Sequence, residues 1–377
     1  MYQALKPLLF RMDAERAHEL VTGLLRRAGG QPAVARMIRA LYAYEDPSLA
    51  TTLAGLRFVN PVGLAAGFDK RAELVEPMAL LGFGHVEVGT VTPRPQPGNL
   101  PPRLFRLPGD EALVNRMGFN GPGMQAVARN LRELRPTNGD RRQATDGRRP
   151  TADERRPTTI IGVNIGKNKD TPLERAAEDY AAAFATLAPL ADYVTVNISS
   201  PNTPGLRKLH ERAALEELLG AVATENARLA RPLPVLLKVS PDETDAALEE
   251  VVGAGMATGC AGFVAVNTTL SREGVRGRAA REMGGLSGRP LGARARATVA
   301  HIYRLTNGQV PIIGVGGVAS AADAYAMIRS GARLVQLYTG MVYAGPGAAR
   351  DIKRGLAQLL WRDGLRTTTD AVGVDVR

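Results

Sequence analysis

Residues Tyr193–Thr203 read YVTVNISSPNT, a short apolar, β-branched run that ends abruptly in amides and hydroxyls. A run without polar alternation is buried on both faces, which implies a parallel strand with a covered sheet on either side of it. Seven further runs share this texture: Val62–Ala66, His85–Val91, Ile160–Ile165, Val235–Val239, Phe263–Val266, Pro311–Val315 and Leu334–Tyr338. Helical patterns separate them, so the chain reads as repeated β/α units. Eight such units across residues 45–366 match a closed barrel. An open doubly wound sheet would gather its ligand fingerprint near one crossover, whereas here polar residues follow nearly every strand. The expected fold class is α/β, a (β/α)8 TIM barrel with a small N-terminal helical extension.

The extension covers residues 1–44. Leu5, Leu8, Leu9 and Phe10 form an apolar cluster, and Asp13 reads as a helix N-cap. Ala17, Leu20, Val21, Leu24 and Leu25 then recur at helical spacing until Gly29-Gly30. After Pro32, the set Val34, Met37, Ile38, Leu41 and Tyr42 repeats that period. Two amphipathic helices are predicted, with Arg11, Arg16, Arg26, Arg27, Arg36 and Arg39 on their polar faces. Such a mixture suits either a cap packed on the barrel or an element lying in a membrane interface. Within the barrel, residues 136–157 belong to an Arg-rich stretch, RPTNGDRRQATDGRRPTADERRP from Arg135 to Pro157. It has no apolar periodicity and reads as a solvated insertion between a helix and the third strand. Residues 367–377 form a C-terminal tail.

The net charge of +11 favours anionic partners without choosing among nucleic acid, an acidic membrane surface and small carboxylated or phosphorylated molecules. Nucleic acid is not expected, because the basic stretch lacks aromatic residues for stacking and no reader motif occurs. One cysteine, Cys260, excludes an intrachain disulfide framework or a Cys-based zinc site, and the four histidines lack ligand spacing, so no metal is expected. No apolar run approaches a membrane span and the N-terminus lacks a signal peptide's pattern, so any membrane contact is expected to be peripheral.

Active sites of such barrels lie at the C-terminal ends of the strands. There the sequence places Ala66-Gly67-Phe68-Asp69-Lys70, Gly89-Thr90, Asn164, Asn197 to Thr203, Lys238, Asn267-Thr268, Gly314 to Gly317 and Tyr338-Thr339-Gly340, with a further loop at Asn115 to Asn120. Five amides, Asn115, Asn164, Asn197, Asn202 and Asn267, offer both donors and acceptors. They suit a ligand with alternating N–H and C=O groups, such as a pyrimidine or a flavin edge. Lys238 closes the apolar strand VLLKVS, and its ammonium suits an anion forming in the site. Gly316-Gly317 and Thr339-Gly340 lie after the seventh and eighth strands, where barrels commonly hold a phosphate. Apart from Asp69 no strand end carries an acidic residue or histidine as general base. The candidate proton acceptor is then a hydroxyl, Ser199 or Ser200, working through a relay.

These strand ends carry a family likeness. NISSPNTPGLR (Asn197–Arg207), GLAAGFDK (Gly63–Lys70), NRMGFN (Asn115–Asn120), NIGKNK (Asn164–Lys169), GGLSGRPL (Gly284–Leu291) and GVGG (Gly314–Gly317) occur in order, and together they resemble class 2 dihydroorotate dehydrogenases. The likeness implies FMN across the barrel top, its phosphate at Gly288, Gly317, Tyr338 and Thr339. Ring and ribityl contacts would come from Ala66, Gly67, Thr90, Asn164, Lys238 and Val266, with Lys70 and Asn197 between cofactor and substrate. Dihydroorotate would be gripped by Lys70, Asn115, Phe119, Asn197, Asn202, Asn267 and Thr268, with Arg116, Met117 and Gly118 in the same loop. Ser200 would be the base, taking the C5 proton while hydride leaves C6 for the flavin, and Phe119 and Thr203 would support the proton relay.

The resemblance also implies a class. The cytosolic class uses a cysteine where Ser200 stands, and it lacks a helical extension. In the quinone-dependent class the extension forms a quinone tunnel and touches the membrane; His18 would be the quinone-side histidine, with Leu5, Leu8 and Phe10 near the entrance. The expected enzyme oxidises dihydroorotate to orotate in pyrimidine biosynthesis, as a monomer on the cytoplasmic side of the cell membrane. The alternative is a soluble relative that uses fumarate or NAD as acceptor.

Overall fold

The computed structural model describes residues 2–134, 159–202 and 206–376. The insertion expected at 136–157 and the relay residue Thr203 lie outside these described residues. Thirteen strands are described. In chain order they are β1 (Thr51–Leu53), β2 (Leu56–Phe58), β3 (Val62–Leu64), β4 (His85–Val91), β5 (Leu104–Leu107), β6 (Ala112–Asn115), β7 (Ile160–Ile165), β8 (Tyr193–Asn197), β9 (Val235–Val239), β10 (Gly262–Ala265), β11 (Gly285–Gly288), β12 (Ile312–Val315) and β13 (Leu334–Leu337).

Strands β3, β4, β7, β8, β9, β10, β12 and β13 pair in parallel, each with the next, and β13 closes on β3. These are the eight apolar runs of the sequence, so the expected (β/α)8 barrel is the observed fold. The continuous apolar character follows from two cores. Strand residues facing outward join the helices in the larger one. Those facing inward, among them Ala65, Tyr193, Leu236, Val264, Ile313 and Leu334, form a second cluster inside the barrel. Interior volume is shared between large side chains and glycines on neighbouring strands. A Cβ on Gly63 would lie 2.1 Å from the His85 ring, and one on Gly162 would lie 2.1 Å from the Tyr193 ring. The β1–β2 hairpin closes the bottom, with Phe58 edge-on to His85 at 5.3 Å.

Two features position the site and were not read from the sequence. Strands β5, β6 and β11 form an antiparallel sheet, with Asn115 opposite both Gly285 and Leu104. Its partners are separated by 170 residues at the Asn115–Gly285 pair, so no local pattern announces it. The register of β4 against β7 also shifts between Val88 and Val91. A bulge of this kind re-aims a side chain, here Thr90. Gly89 permits it: its φ is +114°, and a Cβ there would meet the Asn164 carbonyl at 2.4 Å.

The extension contains three helices rather than two: α1 (Tyr2–Arg11), α2 (Ala14–Gly29) and α3 (Pro32–Tyr42). Pro7 lies inside α1 and removes one helical hydrogen bond, which hides the helix from a local reading. Tertiary contacts hold it: Phe10 stands edge-on to Tyr343 at 5.4 Å and the Tyr2 hydroxyl donates to the Val342 carbonyl. Asp13 does cap α2, accepting from the Glu15 and Arg16 amides at 3.0 Å. The Arg103 guanidinium clasps the Glu15 carboxylate through Nε at 2.9 Å and Nη2 at 2.7 Å, joining α2 to the loop before β5. The tail is docked: Thr367 and Asp370 form a capping box, and Arg329 pairs with Asp375.

Candidate active site

A cavity of about 1100 Å3, counted with its open mouth, lies at the C-terminal ends of the barrel strands under the β5–β6–β11 sheet. The strand ends bring most of the expected residues to its wall. Ala66, Gly67 and Lys70 arrive after β3, Thr90 from the β4 bulge, and Asn197, Ser200 and Asn202 from the end of β8. Lys238 comes from β9, Val266, Asn267 and Thr268 follow β10, Gly316 and Gly317 follow β12, and Tyr338, Thr339 and Gly340 follow β13. Asn115, Met117, Gly118 and Phe119 close it from the β6 side, and Gly288 from β11.

Asn164 stands one layer behind this wall, fully buried. It accepts from Thr90 Oγ1 at 2.5 Å and from Asn197 Nδ2 at 3.1 Å. The side chain of Arg116 turns away. Its guanidinium donates to Glu282, at 2.9 Å, and to the Pro102 carbonyl, and it lies over the Phe105 ring at 4.6 Å. It ties the loop after β6 to the segments before β5 and β11 and does not reach the cavity. His18 is on α2, outside the wall, edge-on to Phe68 at 4.8 Å; Phe68 in turn stands edge-on to the wall residue Tyr338 at 5.4 Å.

The two serines differ in what they face. Ser199 is fully buried, donates from Oγ to Asn197 Oδ1 at 3.1 Å and accepts from Asn267 Nδ2 at 3.1 Å. Ser200 lies on the cavity wall, and its Oγ accepts the Asn202 amide at 3.3 Å. Asp69, the acidic residue at a strand end, is consumed by its own loop, accepting from the Arg71, Glu73 and Leu74 amides at 3.1, 3.1 and 2.9 Å.

Burial brings the Lys70 ammonium down to about 8, against the opposing pull of Glu15, and Lys70 donates to Asn120 Oδ1 at 2.9 Å. Burial likewise lowers Lys238, opposed by the Glu87 carboxylate. His18 is brought to about 4, first by burial and then by the Lys70 charge, so its imidazole is neutral near pH 7. At the other side of the cavity the glycines make a close backbone cradle. A Cβ on Gly317 would lie 2.2 Å from Gly292 Cα, and one on Gly288 would lie 2.9 Å from Thr339 Cγ2. Helices begin at Gly292 and Thr339, so positive dipole ends gather there. Among the described residues no cluster of three or more His, Cys, Asp or Glu is placed to hold a metal ion.

Among the wall and floor residues that escaped the sequence reading are Gln336, Glu87 and Ser287, the last sharing a 2.8 Å hydrogen bond with Thr339. A charge in the middle of the apolar run HVEVGTV was the available signal for Glu87, and a lone amide in LVQL was that for Gln336.

Comparison with known proteins agrees with this architecture. The family model for dihydroorotate dehydrogenase matches residues 48–360. A protein of Roseiflexus castenholzii named dihydroorotate dehydrogenase (quinone) is 63% identical over 375 residues, covering all of this chain and 97% of that one. One of Anaeromyxobacter dehalogenans with the same name is 50% identical, covering all of this chain and 98% of its own. The crystal structure of Eimeria tenella DHODH in complex with ferulenol superposes with a TM-score of 0.85 at 38% identity, over 96% of each chain. A barrel with these motifs at its strand ends, matched along its whole length by such relatives, belongs to the dihydroorotate dehydrogenase family.

Proposed function

We propose that this chain oxidises dihydroorotate to orotate in pyrimidine biosynthesis, with FMN as the intermediate carrier and a membrane quinone as the final acceptor. The observation that carries the reading is the meeting, in one cavity, of Ser200 with Lys70, Lys238 and the wall amides Asn115, Asn197, Asn202 and Asn267. The relatives' names carry quinone, so the fumarate- or NAD-linked alternative has no support.

The residues present fit FMN. The glycine cradle at Gly288 and Gly317, with the helix start at Thr339, suits a phosphate dianion. Gln336 Oε1 is buried without a donor among the described residues, an acceptor left for a ring N–H, and Lys238 supplies a cation beside it in the cavity. Tyr338, Ala66, Gly67, Thr90, Asn197, Val266 and Lys70 complete the proposed cofactor contacts, with Asn164 behind them holding Thr90 and Asn197. When bound, FMN would supply the hydride acceptor for C6 of the substrate and the redox link to quinone. Ser200 Oγ takes the proton from C5, and Phe119 and Thr203 support its onward relay. Lys70 holds the substrate carboxylate, and Asn115, Asn197, Asn202, Asn267 and Thr268 pair with the ring's amide edges; Met117 and Gly118 close the loop over it. Arg116 acts on that loop from outside.

The extension is proposed to lie on the cytoplasmic face of the cell membrane. Leu5, Leu8, Leu20, Leu24, Met37 and Leu41 are 46–63% exposed, while no residue of α1 or α3 is fully buried. No helix among the described residues is long and apolar enough to cross a membrane. Apolar faces left uncovered beside arginines suit an interfacial element.

Anaerobic mixing of the FMN-loaded protein with dihydroorotate tests the reading. Flavin absorbance is expected to bleach with one orotate formed per flavin; a flavin that stays oxidised overturns it. The phosphate cradle has its own test. Gly317→Ala puts a Cβ into the Gly292 backbone, so flavin retained per chain is expected to fall at least about tenfold, the equivalent of about 1.4 kcal/mol. Gly55→Ala is the control, since Gly55 has a similar φ of +79° but open space around it. Equal flavin content in the two variants would show that the cradle is not where the cofactor is held.

A further inference from the structure

Beneath the cavity, inside the barrel, lies a carboxylate with no solvent exposure. Glu87, from the middle of β4, is 0% exposed. Three donors converge on it: Asn164 Nδ2 at 2.8 Å, Gln336 Nε2 at 2.9 Å and the Tyr193 hydroxyl at 3.2 Å. Burial of an ion costs several kcal/mol unless its partners offset it, and an amide of the same shape would fill the space. The connections above Glu87 suggest what its charge does.

A carboxylate only accepts, whereas a carboxamide has a donor end and an acceptor end. Glu87 therefore obliges Asn164 to turn its NH2 downward. Asn164 Oδ1 then faces up and can only accept, which it does from Thr90 Oγ1 and Asn197 Nδ2. With its NH2 committed, Asn197 has its Oδ1 turned towards the Ser199 amide at 3.2 Å, Ser199 Oγ and Asn267 Nδ2 at 3.4 Å. Asn267 is left with its Oδ1 on the Thr268 amide at 2.8 Å. One acceptor-only group at the bottom thus fixes the direction of three amides up to the cavity wall. The same carboxylate acts on the ammonium of Lys238, which reaches the cavity from β9.

We propose that Glu87 is a positioning residue: acting through Asn164, it sets the donor and acceptor pattern that the wall amides Asn197 and Asn267 present to the bound pyrimidine. The inference rests on the functional reading above and goes one layer deeper. A glutamine at this position can turn either end to Asn164, so it removes the bias without removing the volume.

The test is the dissociation constant of orotate, measured by calorimetry on the oxidised, FMN-loaded protein, together with thermal stability. Glu87→Gln is expected to weaken orotate binding by about tenfold or more, as lost direction in buried hydrogen bonds implies, in protein that still melts above the assay temperature. Glu87→Asp keeps an acceptor-only charge and is expected to stay within about threefold of the unmodified protein. Tyr193→Phe removes one donor to Glu87 but leaves the amide chain intact, and it is expected to change binding by no more than about twofold. Unchanged binding in Glu87→Gln, or equal losses in the Gln and Asp variants, overturns the proposal and reduces Glu87 to packing. Should Glu87→Gln fail to fold, the Asp variant still tests the proposal: a tenfold loss of orotate binding there overturns it. Absence of orotate binding in the unmodified protein would instead strike the functional reading itself.

Discussion

With Ser200→Ala, bleaching of the bound flavin by dihydroorotate is expected to slow by about 100- to 10,000-fold, the range for a lost general base, while orotate affinity changes little. The expectation comes from the division of labour between the two serines. Ser199 is tied into the amide chain on both sides, whereas Ser200 faces the cavity and, among the described residues, its oxygen accepts a 3.3 Å contact from the Asn202 amide. Removing it leaves the binding wall intact. The rival base on that wall is Lys70, whose ammonium titrates near 8. Were Lys70 the base, the Ser200 variant would react normally and the rate would climb as pH rises through 8. If Lys70 grips a carboxylate, the sign is opposite. Its folded-state value is depressed, so the charged form that binds is present below 8 and lost above it, and the substrate KM is expected to rise there. Rapid-mixing traces of both proteins between pH 6 and about 9.5, a span bracketing the usual lysine shift on burial, separate these outcomes.

Removal of residues 1–44 is expected to abolish quinone reduction while dihydroorotate still bleaches the flavin within about threefold of the full chain, because the base and the binding amides lie outside the extension. One meeting point of the extension and the site lies on α2. His18 lies against Phe68, and Phe68 against Tyr338 on the cavity wall. Neutral near pH 7 and shielded by burial, His18 presents an apolar ring with a polar tip, which suits the quinone carbonyl and its hydrophobic body alike. The truncated chain loses the Glu15 partner of Arg103 together with the Phe10–Tyr343 and Tyr2–Val342 contacts, so its stability is expected to drop by at least about 2 kcal/mol. His18→Ala is the gentler form of the experiment, raising KM for quinone with the first half-reaction untouched. Equal loss of both half-reactions on truncation would show that the extension shapes the barrel site and is no separate acceptor site.

How much of this was legible beforehand depended on the range of the interaction. The eight barrel strands were readable because each apolar run is buried by its own composition, and their polar ends were readable because they follow the runs directly in sequence. Asp13 as a cap of α2 is a contact across two and three residues and was equally plain. Helix α1 was missed because Pro7 weakens it locally and Phe10 on Tyr343, more than 300 residues away, holds it in place. Arg116 sits inside a site motif yet points away from the site. Sequence spacing placed its Cα near the cavity but could not say that Glu282 and Pro102 would take its guanidinium. The choice between Ser199 and Ser200, and the direction in which each asparagine turns, were likewise beyond the sequence. By itself the sequence determined which residues gather at one end of a parallel barrel, since hydrophobic periodicity is a local property. Only the tertiary structure decided which side chains face the cavity and which hydrogen bonds orient them, because those depend on partners brought together by the closure of the barrel.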